Sequence, residues 1–338
     1  MQSVEYLALI CLNSDLPKPL GEIMTNACHE CLRELCLETR EFAALLGDIR
    51  GDGSRLAGAI EKRARVICLE NHEQFLRFIT SQAAAVADSR GQTADAVLLY
   101  HLCDDYDNVT TVLNRALADA VAVELGDEPI SLQPLKPRSS TGSSTSDTAS
   151  QMSQQPNSSL SLTQSTSSAF ELARNMTSLY DSNAMYFSHI SHQNRATCKV
   201  LMTMLSARAK IEHPTNPEYL RALEELNTMS ILPLGSEGNI PTIRQMATSF
   251  SGLPQLVARC AGLVILWCVR AIGALREQGG RNGTWGLPGA SDDDVNQLKG
   301  QLSQMAKDLM VFAGLVRYKL PGRVYDLLTR AGGDVGGY

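Results

Sequence analysis

The residues best suited to chemistry form the segment Cys28-His29-Glu30-Cys31, in which two thiols lie three positions apart with a histidine between them. Thiolate and imidazole are ligands that zinc prefers, and a Cys-x-x-Cys pair at the start of a helix is typical of redox proteins. This segment lies in the middle of a predicted helix, where His29 points about 100° away from Cys28. No second ligand pair with zinc spacing occurs in the sequence. We therefore interpret these cysteines, with nearby Cys36, as buried structural thiols.

The histidines and the aspartates do not form a second candidate site. His189 and His192 lie three positions apart on a predicted helix that His213 ends, but no set of carboxylates accompanies them, so a solvated helix face is the simpler interpretation. His101 lies in an apolar stripe, which is typical of an interior histidine. The acidic run 104–107 is not followed by EF-hand spacing. It predicts a turn in which Asp107 caps the next helix.

Composition and motifs exclude several classes of function. The sequence contains no nucleophile elbow, no phosphate-binding P-loop and no dinucleotide fingerprint, so we predict no enzymatic activity, no catalytic, cofactor-binding or metal residue, and no cofactor. The net charge is −6, which argues against direct nucleic-acid binding because that requires a dense basic face. The charge is uneven: residues 1–135 hold 11 basic and 21 acidic side chains, a net charge of −10, whereas residues 169–338 have a net charge of +3.

Nine cysteines, an odd number set mostly in apolar stripes, indicate a reducing compartment and buried thiols. No signal peptide is predicted at the N-terminus. The most apolar run, residues 261–269, is too short to cross a bilayer, which takes about 20 residues. We therefore predict a buried core helix there, with Trp267 in the core, and no transmembrane segment. Trp285 lies in a glycine-rich loop and is the better candidate for contact with a partner.

The elements that would position any site are helices, and the clearest are two helices back to back in residues 91–125. Apolar residues recur at helical spacing on each side of the acidic run. Two antiparallel helices joined by a short turn form a helical hairpin, and such a hairpin needs neighbours to bury its second apolar face. Stacked hairpins form an α-solenoid.

Helical periodicity covers most of the remaining chain, and no segment shows sustained alternation of period two. The fold class is therefore predicted as all-α, an irregular α-solenoid of stacked antiparallel helices. The first helix is apolar nearly all round, which predicts further repeats before it. A turn cluster is predicted at 47–54. The predicted helices are 2–12, 20–46, 58–88 with a break near 71–72, the hairpin, a start at Phe170, 182–211, 217–229, 241 onward, 254–278, 292–319 and a short one from Pro321.

A stretch rich in serine and threonine interrupts the helices. Eighteen of the thirty residues from 139 to 168 are Ser or Thr and none is aromatic, so this stretch lacks the apolar surface that would offset the entropy of ordering. The predicted organisation is a helical segment at 1–128, a disordered linker or loop at 129–168, a second helical segment at 169–331 and a flexible tail at 332–338.

Four stretches of the chain resemble a known family, the large α-helical scaffold nucleoporins of the nuclear pore's inner ring, in their C-terminal portion. Their order and spacing carry the resemblance, which spans nearly the whole chain outside the linker. The stretches are 6–13 (YLALICLN) continued by 31–42 (CLRELCLETREF) and 45–48 (LLGD); 99–102 (LYHL) with 106–109 (YDNV) and 113–117 (LNRAL); 229–234 (MSILPL); and 306–318, which contains FAGL.

This resemblance implies a structural component of the nuclear pore complex at the nuclear envelope, without catalysis, that supports nucleocytoplasmic transport of protein and mRNA. The implied partners are other nucleoporins: short segments of linker nucleoporins held in grooves of the solenoid, and neighbouring inner-ring scaffolds. The family's N-terminal coiled-coil segment, which anchors the channel nucleoporin trimer, is absent from this sequence, so that partner is not carried over. The alternative is a helical-repeat adaptor of another assembly, such as a vesicle coat.

Overall fold

The computed structural model describes residues 2–11, 17–50, 53–68, 72–133, 168–215, 217–282 and 292–318. Helices dominate this part of the chain, which confirms the predicted all-α class. In chain order the elements are α1 (Gln2–Cys11), α2 (Leu20–Thr39), α3 (Phe42–Leu45), β1 (Gly47–Ile49), β2 (Arg55–Ala57), α4 (Ala59–Lys62), α5 (His72–Ser89), α6 (Thr93–Leu102), α7 (Tyr106–Ala122), α8 (Ala169–Asp181), α9 (Ala184–Ser188), α10 (His192–Ile211), α11 (Tyr219–Thr228), α12 (Ile240–Ser249), α13 (Gln255–Asn282) and α14 (Asp292–Leu315).

The chain divides into two compact units. Unit 1 comprises Met1–Leu113 and Ser131–Ser191, and unit 2 comprises Asn114–Ile130 and His192–Tyr338. Each unit thus takes residues from both sides of the stretch rich in serine and threonine. The boundaries predicted at 128, 168 and 331 stay predictions, and residues 134–167, the loop around Trp285, the helix expected at Pro321 and the tail at 332–338 lie outside the described residues.

Unit 1 packs α1 on α2 and α5 on α6, with a small sheet that the sequence did not predict. Residues 47–54 were predicted to be a turn alone, but β1 and β2 pair antiparallel, Gly47 opposite Ala57. A side chain on Gly47 would lie 2.6 Å from the Leu56 carbonyl oxygen, so only glycine fits this close approach. Each strand has three residues, and all of β1 is buried. The sequence therefore shows no alternation of apolar and polar residues that would predict these strands.

Three of the predicted helices are interrupted in the structure. The helix predicted over 20–46 ends at Thr39, because Arg40 adopts a left-handed conformation with φ 56°. The helix predicted over 58–88 with a break near 71–72 is divided: α5 begins at His72, but the part before the break is only α4 followed by a series of turns. The helix predicted over 182–211 is broken between α9 and α10, where the Ser191 N–H donates to Asp107 Oδ1 at 2.8 Å. That N–H is therefore taken out of the helical ladder by a carboxylate of α7.

Unit 2 is built around α13, whose side chains Trp267, Cys268 and Ile272 are almost fully buried. By length and composition alone, 255–278 is long and apolar enough to cross a membrane, but 72% of its most apolar window is buried in the structure. A core helix accounts for this burial, as the apolar run at 261–269 predicted. The helices α10, α11 and α14 pack against α13, and α12 packs on α14. The predicted stripe of α14 is confirmed at Leu302, Leu309, Phe312 and Val316, which are buried.

A buried arginine ties α10 to the end of α7 within unit 2. Arg208, 6% exposed, donates hydrogen bonds to the carbonyl oxygens of Ala120 (3.1 Å), Val123 (2.6 Å) and Glu124 (2.6 Å). These carbonyls lie at and just after the C-terminal end of α7, where the helix supplies no further N–H donors. The Glu124 oxygen also accepts from the Asp127 N–H at 3.2 Å. The guanidinium also pairs with Glu212 at 2.8 Å and lies over Trp267, 5.7 Å from its ring centre.

Candidate partner-binding site

The cysteines and histidine of 28–31 point to different places. Cys28 is buried and its thiol donates to the Leu7 carbonyl oxygen at 3.2 Å, whereas Cys31 is exposed. His29 Nε2 bonds to the Ile67 carbonyl oxygen at 2.9 Å. Within the described ranges, no three His, Cys, Asp or Glu side chains are arranged to hold a metal ion. Cys28 and Cys36 are buried as predicted, but the prediction of a buried thiol is wrong for Cys31, which lies on the exposed face of α2.

His101 lies inside a group of aromatic rings in unit 1. Its ring stacks on Tyr180, with 5.7 Å between the ring centres, and contacts the rings of Tyr106 and Tyr186. His101 Nδ1 and the Tyr180 hydroxyl are hydrogen-bonded at 3.0 Å. Burial lowers the pKa of His101 to about 4, and the nearby Asp104 carboxylate opposes this only in part. His101 is therefore an interior histidine, neutral and hydrogen-bonded, as its position in an apolar stripe predicted.

The acidic run forms a turn, as predicted. The cap of the next helix is an aspartate, also as predicted, but it lies two positions earlier in the chain. Asp105, not Asp107, caps α7: its carboxylate accepts from the Asn108 N–H at 3.2 Å. Asp104 accepts from the Tyr106 hydroxyl at 2.8 Å, and Asp107 accepts from Ser191. Asp104 has φ 62°, a left-handed conformation that turns the chain between α6 and α7.

A cleft of about 600 Å³ opens beside this turn in unit 1, lined by its three aspartates with Arg77, Phe78 and His189 among others. Its carboxylates already accept the hydrogen bonds that hold the turn and the α9 end in place. Phe78 is 59% exposed. His189 and His192 were predicted to share one helix, but His189 follows the end of α9 and His192 begins α10. Both are exposed, as is His213 after the end of α10.

A second surface, in unit 2, has the features of a peptide-binding groove. It measures about 510 Å³ and runs between the loop after α11 and one face of α12. We call it the α12 groove. Its lining residues are Asn227, Ser230, Ile231, Leu232, Pro233, Gly235, Ser236, Thr242, Gln245, Met246, Ser249, Phe250 and Leu253.

The α12 groove has an apolar floor and a polar rim. Leu232 and Phe250 are buried at its base, Ile231, Met246 and Leu253 are half-buried, and the amide or hydroxyl groups of rim residues such as Gln245 face solvent. None of the described residues that line it carries a charge. Uncharged donors and acceptors around an apolar floor suit the backbone and apolar side chains of a bound segment, and give nothing to recognise phosphate.

A buried carboxylate holds the loop of this groove in shape. Asp308 of α14 is 2% exposed and accepts from the Ser236 hydroxyl (2.7 Å), the Gly238 N–H (2.8 Å) and Gln304 Nε2 (2.8 Å). Gly238 has φ 83°, a conformation that glycine adopts at little cost. The Phe250 ring packs edge-on against Phe312 of α14, 5.9 Å between centres. The groove is thus preformed by contacts to α14.

The sequence patterns did not predict this groove, and residues 229–234 contributed only to the resemblance. The available signal was the pair Ser236 and Gly238 beside an apolar connector, but their partner Asp308 lies 72 residues after Ser236, and no local pattern shows it. Trp285, the residue proposed for partner contact, lies outside the described residues.

Comparison with known proteins gives one consistent result. The Nup93/Nic96 family model matches residues 1–327. Nucleoporin NIC96 of Chaetomium thermophilum is 38% identical over 334 residues, covering 98% of this chain and 29% of that protein. Nucleoporin NIC96 of Saccharomyces cerevisiae is 31% identical over 330 residues, covering 96% and 33%. Nuclear pore complex protein Nup93 of Danio rerio is 35% identical over 97 residues, covering 29% and 11%.

A solved structure agrees with the sequence comparison. The crystal structure of Chaetomium thermophilum Nic96 SOL superposes with a TM-score of 0.83 at 37% identity, and the match covers 97% of this chain and 44% of that one. The chain spans about a third of the length of the two NIC96 relatives.

Proposed function

Because the chain belongs to the Nup93/Nic96 family, we propose that it is a structural scaffold component of the inner ring of the nuclear pore complex. In this role it lies at the nuclear envelope, holds other nucleoporins through its helical surfaces and supports the transport of protein and mRNA. The observation that carries the proposal is the family match over residues 1–327, together with relatives named as nucleoporins.

The buried polar side chains of the described residues support a scaffold rather than an enzyme. The buried polar groups that stand out, Arg208, Asp308 and His101, have their hydrogen bonds made within the protein, so they stabilise the fold instead of facing a substrate. The vesicle-coat alternative receives no support from the relatives, which are named for the nuclear pore.

For partner binding we propose that the α12 groove holds a short segment of another nucleoporin. Its apolar floor would take one or two aliphatic or aromatic side chains, and its rim would bond to the backbone of the segment. Because the groove is preformed by Asp308 and Phe312, the bound segment pays most of the ordering entropy. Affinity should therefore be moderate and should depend on a few apolar anchors.

Localisation tests the scaffold function. The chain carrying a fluorescent tag is expected to give a punctate signal at the nuclear rim of its own cells. A vesicular signal would favour the coat alternative, and a uniform cytosolic signal would contradict the scaffold proposal.

The groove is tested with Met246→Glu, which places a charge against the apolar floor. Thr248→Glu is the matched control, because Thr248 is exposed on the same helix and does not line the groove. A photo-crosslinker at Gln245 should capture a nucleoporin segment in isolated nuclear envelopes. We expect Met246→Glu to abolish that crosslink and Thr248→Glu to leave it. Equal crosslinking in the two variants would contradict the groove assignment while leaving the scaffold function standing.

A further inference from the structure

Three cysteines from three separate segments of unit 1 converge between α1 and α2. Cys11 lies at the end of α1, Cys28 in the middle of α2, and Cys68 at the end of the turns that follow α4. Cys11 and Cys28 are 2% and 0% exposed, whereas Cys68 is half-buried. All nine cysteines of the chain are present as thiols. A cluster of this kind has no part in the scaffold function, and the inference drawn from it does not rest on that function.

The contacts place the thiols of Cys11 and Cys28 side by side. Cys28 Sγ donates to the Leu7 carbonyl oxygen at 3.2 Å, and in a helix that same carbonyl accepts the N–H of Cys11, four residues on. The Cys28 sulfur therefore lies against the last turn of α1, the turn that ends in Cys11. A disulfide between Cys11 and Cys28 requires Cα atoms about 4.4 to 6.8 Å apart.

Cys68 connects this pair to the surface. Cys11 Sγ donates to the Ile67 carbonyl oxygen at 3.5 Å, which is the peptide group that leads into Cys68. Cys68 has φ 53°, a left-handed conformation that is unusual for a residue with a side chain. Of the three cysteines, Cys68 is the most exposed, and the carbonyl group just before it contacts the Cys11 thiol.

We propose that Cys11, Cys28 and Cys68 form a thiol-oxidation site, in which Cys68 reacts with a low-molecular-weight disulfide and the final product is a Cys11–Cys28 disulfide. The Cys68 thiolate attacks one sulfur of the small disulfide, forming a mixed disulfide and releasing the first small thiol. Cys11 then attacks the Cys68 sulfur and releases the second small thiol. Cys28 finally attacks the Cys11 sulfur and returns Cys68 to a thiol.

Atoms and electrons balance in this sequence. Two protein thiols lose two electrons and two protons, and one small disulfide takes them up to become two small thiols. Burial raises the pKa of Cys28 to about 12 and also raises the pKa of Cys11. Little thiolate is present in the buried pair at neutral pH, so the exchange is slow there and accelerates as the pH rises.

The experiment uses the purified full chain with oxidised glutathione as the small disulfide. Oxidation is followed by intact mass after trapping of the remaining thiols, and by mapping of linked peptides. We expect two fewer trapped thiols than in the reduced chain, together with a loss of two hydrogen atoms, about 2 Da, and one linked pair, Cys11 with Cys28. Cys68→Ser should slow formation of this product about tenfold or more, and Cys31→Ser, which removes the exposed thiol of α2, should not.

Each other outcome overturns the proposal. A glutathione adduct that persists on Cys68 or Cys31 while Cys11 and Cys28 stay reduced would refute the relay. An unchanged rate in Cys68→Ser would remove Cys68 from it. A wild-type sample oxidised in concentrated urea should give mixed linkages, since the pairing depends on the fold. If folded and unfolded chains give the same linkages, the cluster has no special pairing. The product is mapped in the wild-type chain, so a folding defect in any variant does not affect the result.

Discussion

Replacing Arg208 by methionine is expected to destabilise unit 2 by about 3 kcal/mol, a loss that comes from hydrogen bonds rather than packing. Methionine keeps the length and much of the apolar stem of arginine but removes every donor. The carbonyl oxygens of Ala120, Val123 and Glu124 then lose the guanidinium that satisfies them. The i,i+4 pair with Glu212 is lost as well.

The magnitude follows from the exposure of the partners. A hydrogen bond from a charged donor contributes about 1.5 to 3 kcal/mol when its acceptor is left dry. The end of α7 is not dry: Glu124 is exposed, and Ala120 and Val123 are half-buried, so water replaces part of the loss. The Glu212 side chain is 30% exposed, so its ion pair with Arg208 contributes less to the unfolding free energy than the bonds to the carbonyls do. About 3 kcal/mol is therefore expected instead of the full sum of the bonds.

Trp267 provides the assay, because the guanidinium of Arg208 lies over its ring. The chain contains two tryptophans, so a Trp285→Phe background leaves Trp267 as the only one. Urea unfolding followed by its fluorescence should show a lower midpoint in Arg208→Met with an unchanged slope. In a unit of this size, 3 kcal/mol corresponds to a fall of about 6 to 12 °C in the melting temperature.

The matched control is Arg221→Met, which makes the same substitution in an arginine whose side chain is 71% exposed and which pairs with Glu218. It should change the unfolding free energy by no more than about 0.5 kcal/mol. If Arg208→Met also stays within about 0.5 kcal/mol of the parent, water satisfies the α7 carbonyls fully. The guanidinium would then contribute nothing, and the reasoning would be wrong.

Periodicity predicted the helices well where a helix buries one face against its neighbours. Helix α7 and the stripe of α14 follow directly from apolar residues three and four apart. Helix α6 was predicted to pack on α7 as a hairpin, but it is buried nearly all round and packs mainly on α5. For α7 and α14 the information is local, because burial of that face is compatible with any apolar neighbour. The fold class could therefore be predicted from the sequence without knowing which helices touch.

The errors have a different physical origin. The sequence between α9 and α10 continues a helical pattern, and the break there depends on Asp107, 84 residues before the Ser191 N–H that it binds. The α12 groove depends in the same way on Asp308. Arg40 ends α2 while its side chain pairs with the buried Asp95. Hydrogen bonds between residues far apart in the sequence do not change the spacing of apolar residues, so that spacing cannot predict them.

Three further predictions concern unit 1. Since burial depresses the pKa of His101 to about 4 in the folded protein, its contribution to stability is complete above its ordinary pKa of about 6.5 and is lost as the pH falls toward 4. Unfolding free energies should therefore fall between pH 7 and pH 4 by about 3 kcal/mol more in the wild type than in His101→Phe, and equal falls would contradict the burial. Asp105→Ala should cost about 1 kcal/mol by removing the cap of α7, whereas Asp107→Asn, which keeps an acceptor for Ser191, should cost less; the reverse order in urea unfolding would restore Asp107 as the cap. Deletion of 139–167 should leave the melting temperature nearly unchanged, since that composition builds no core, but Ser168 must stay. Its hydroxyl caps α8 by accepting the Glu171 N–H at 3.1 Å, and Ser168 also bridges to Ser131. Ser168→Ala should therefore cost about 1 kcal/mol on its own, and a deletion that lowers the melting temperature with Ser168 intact would show that the removed residues contribute to packing.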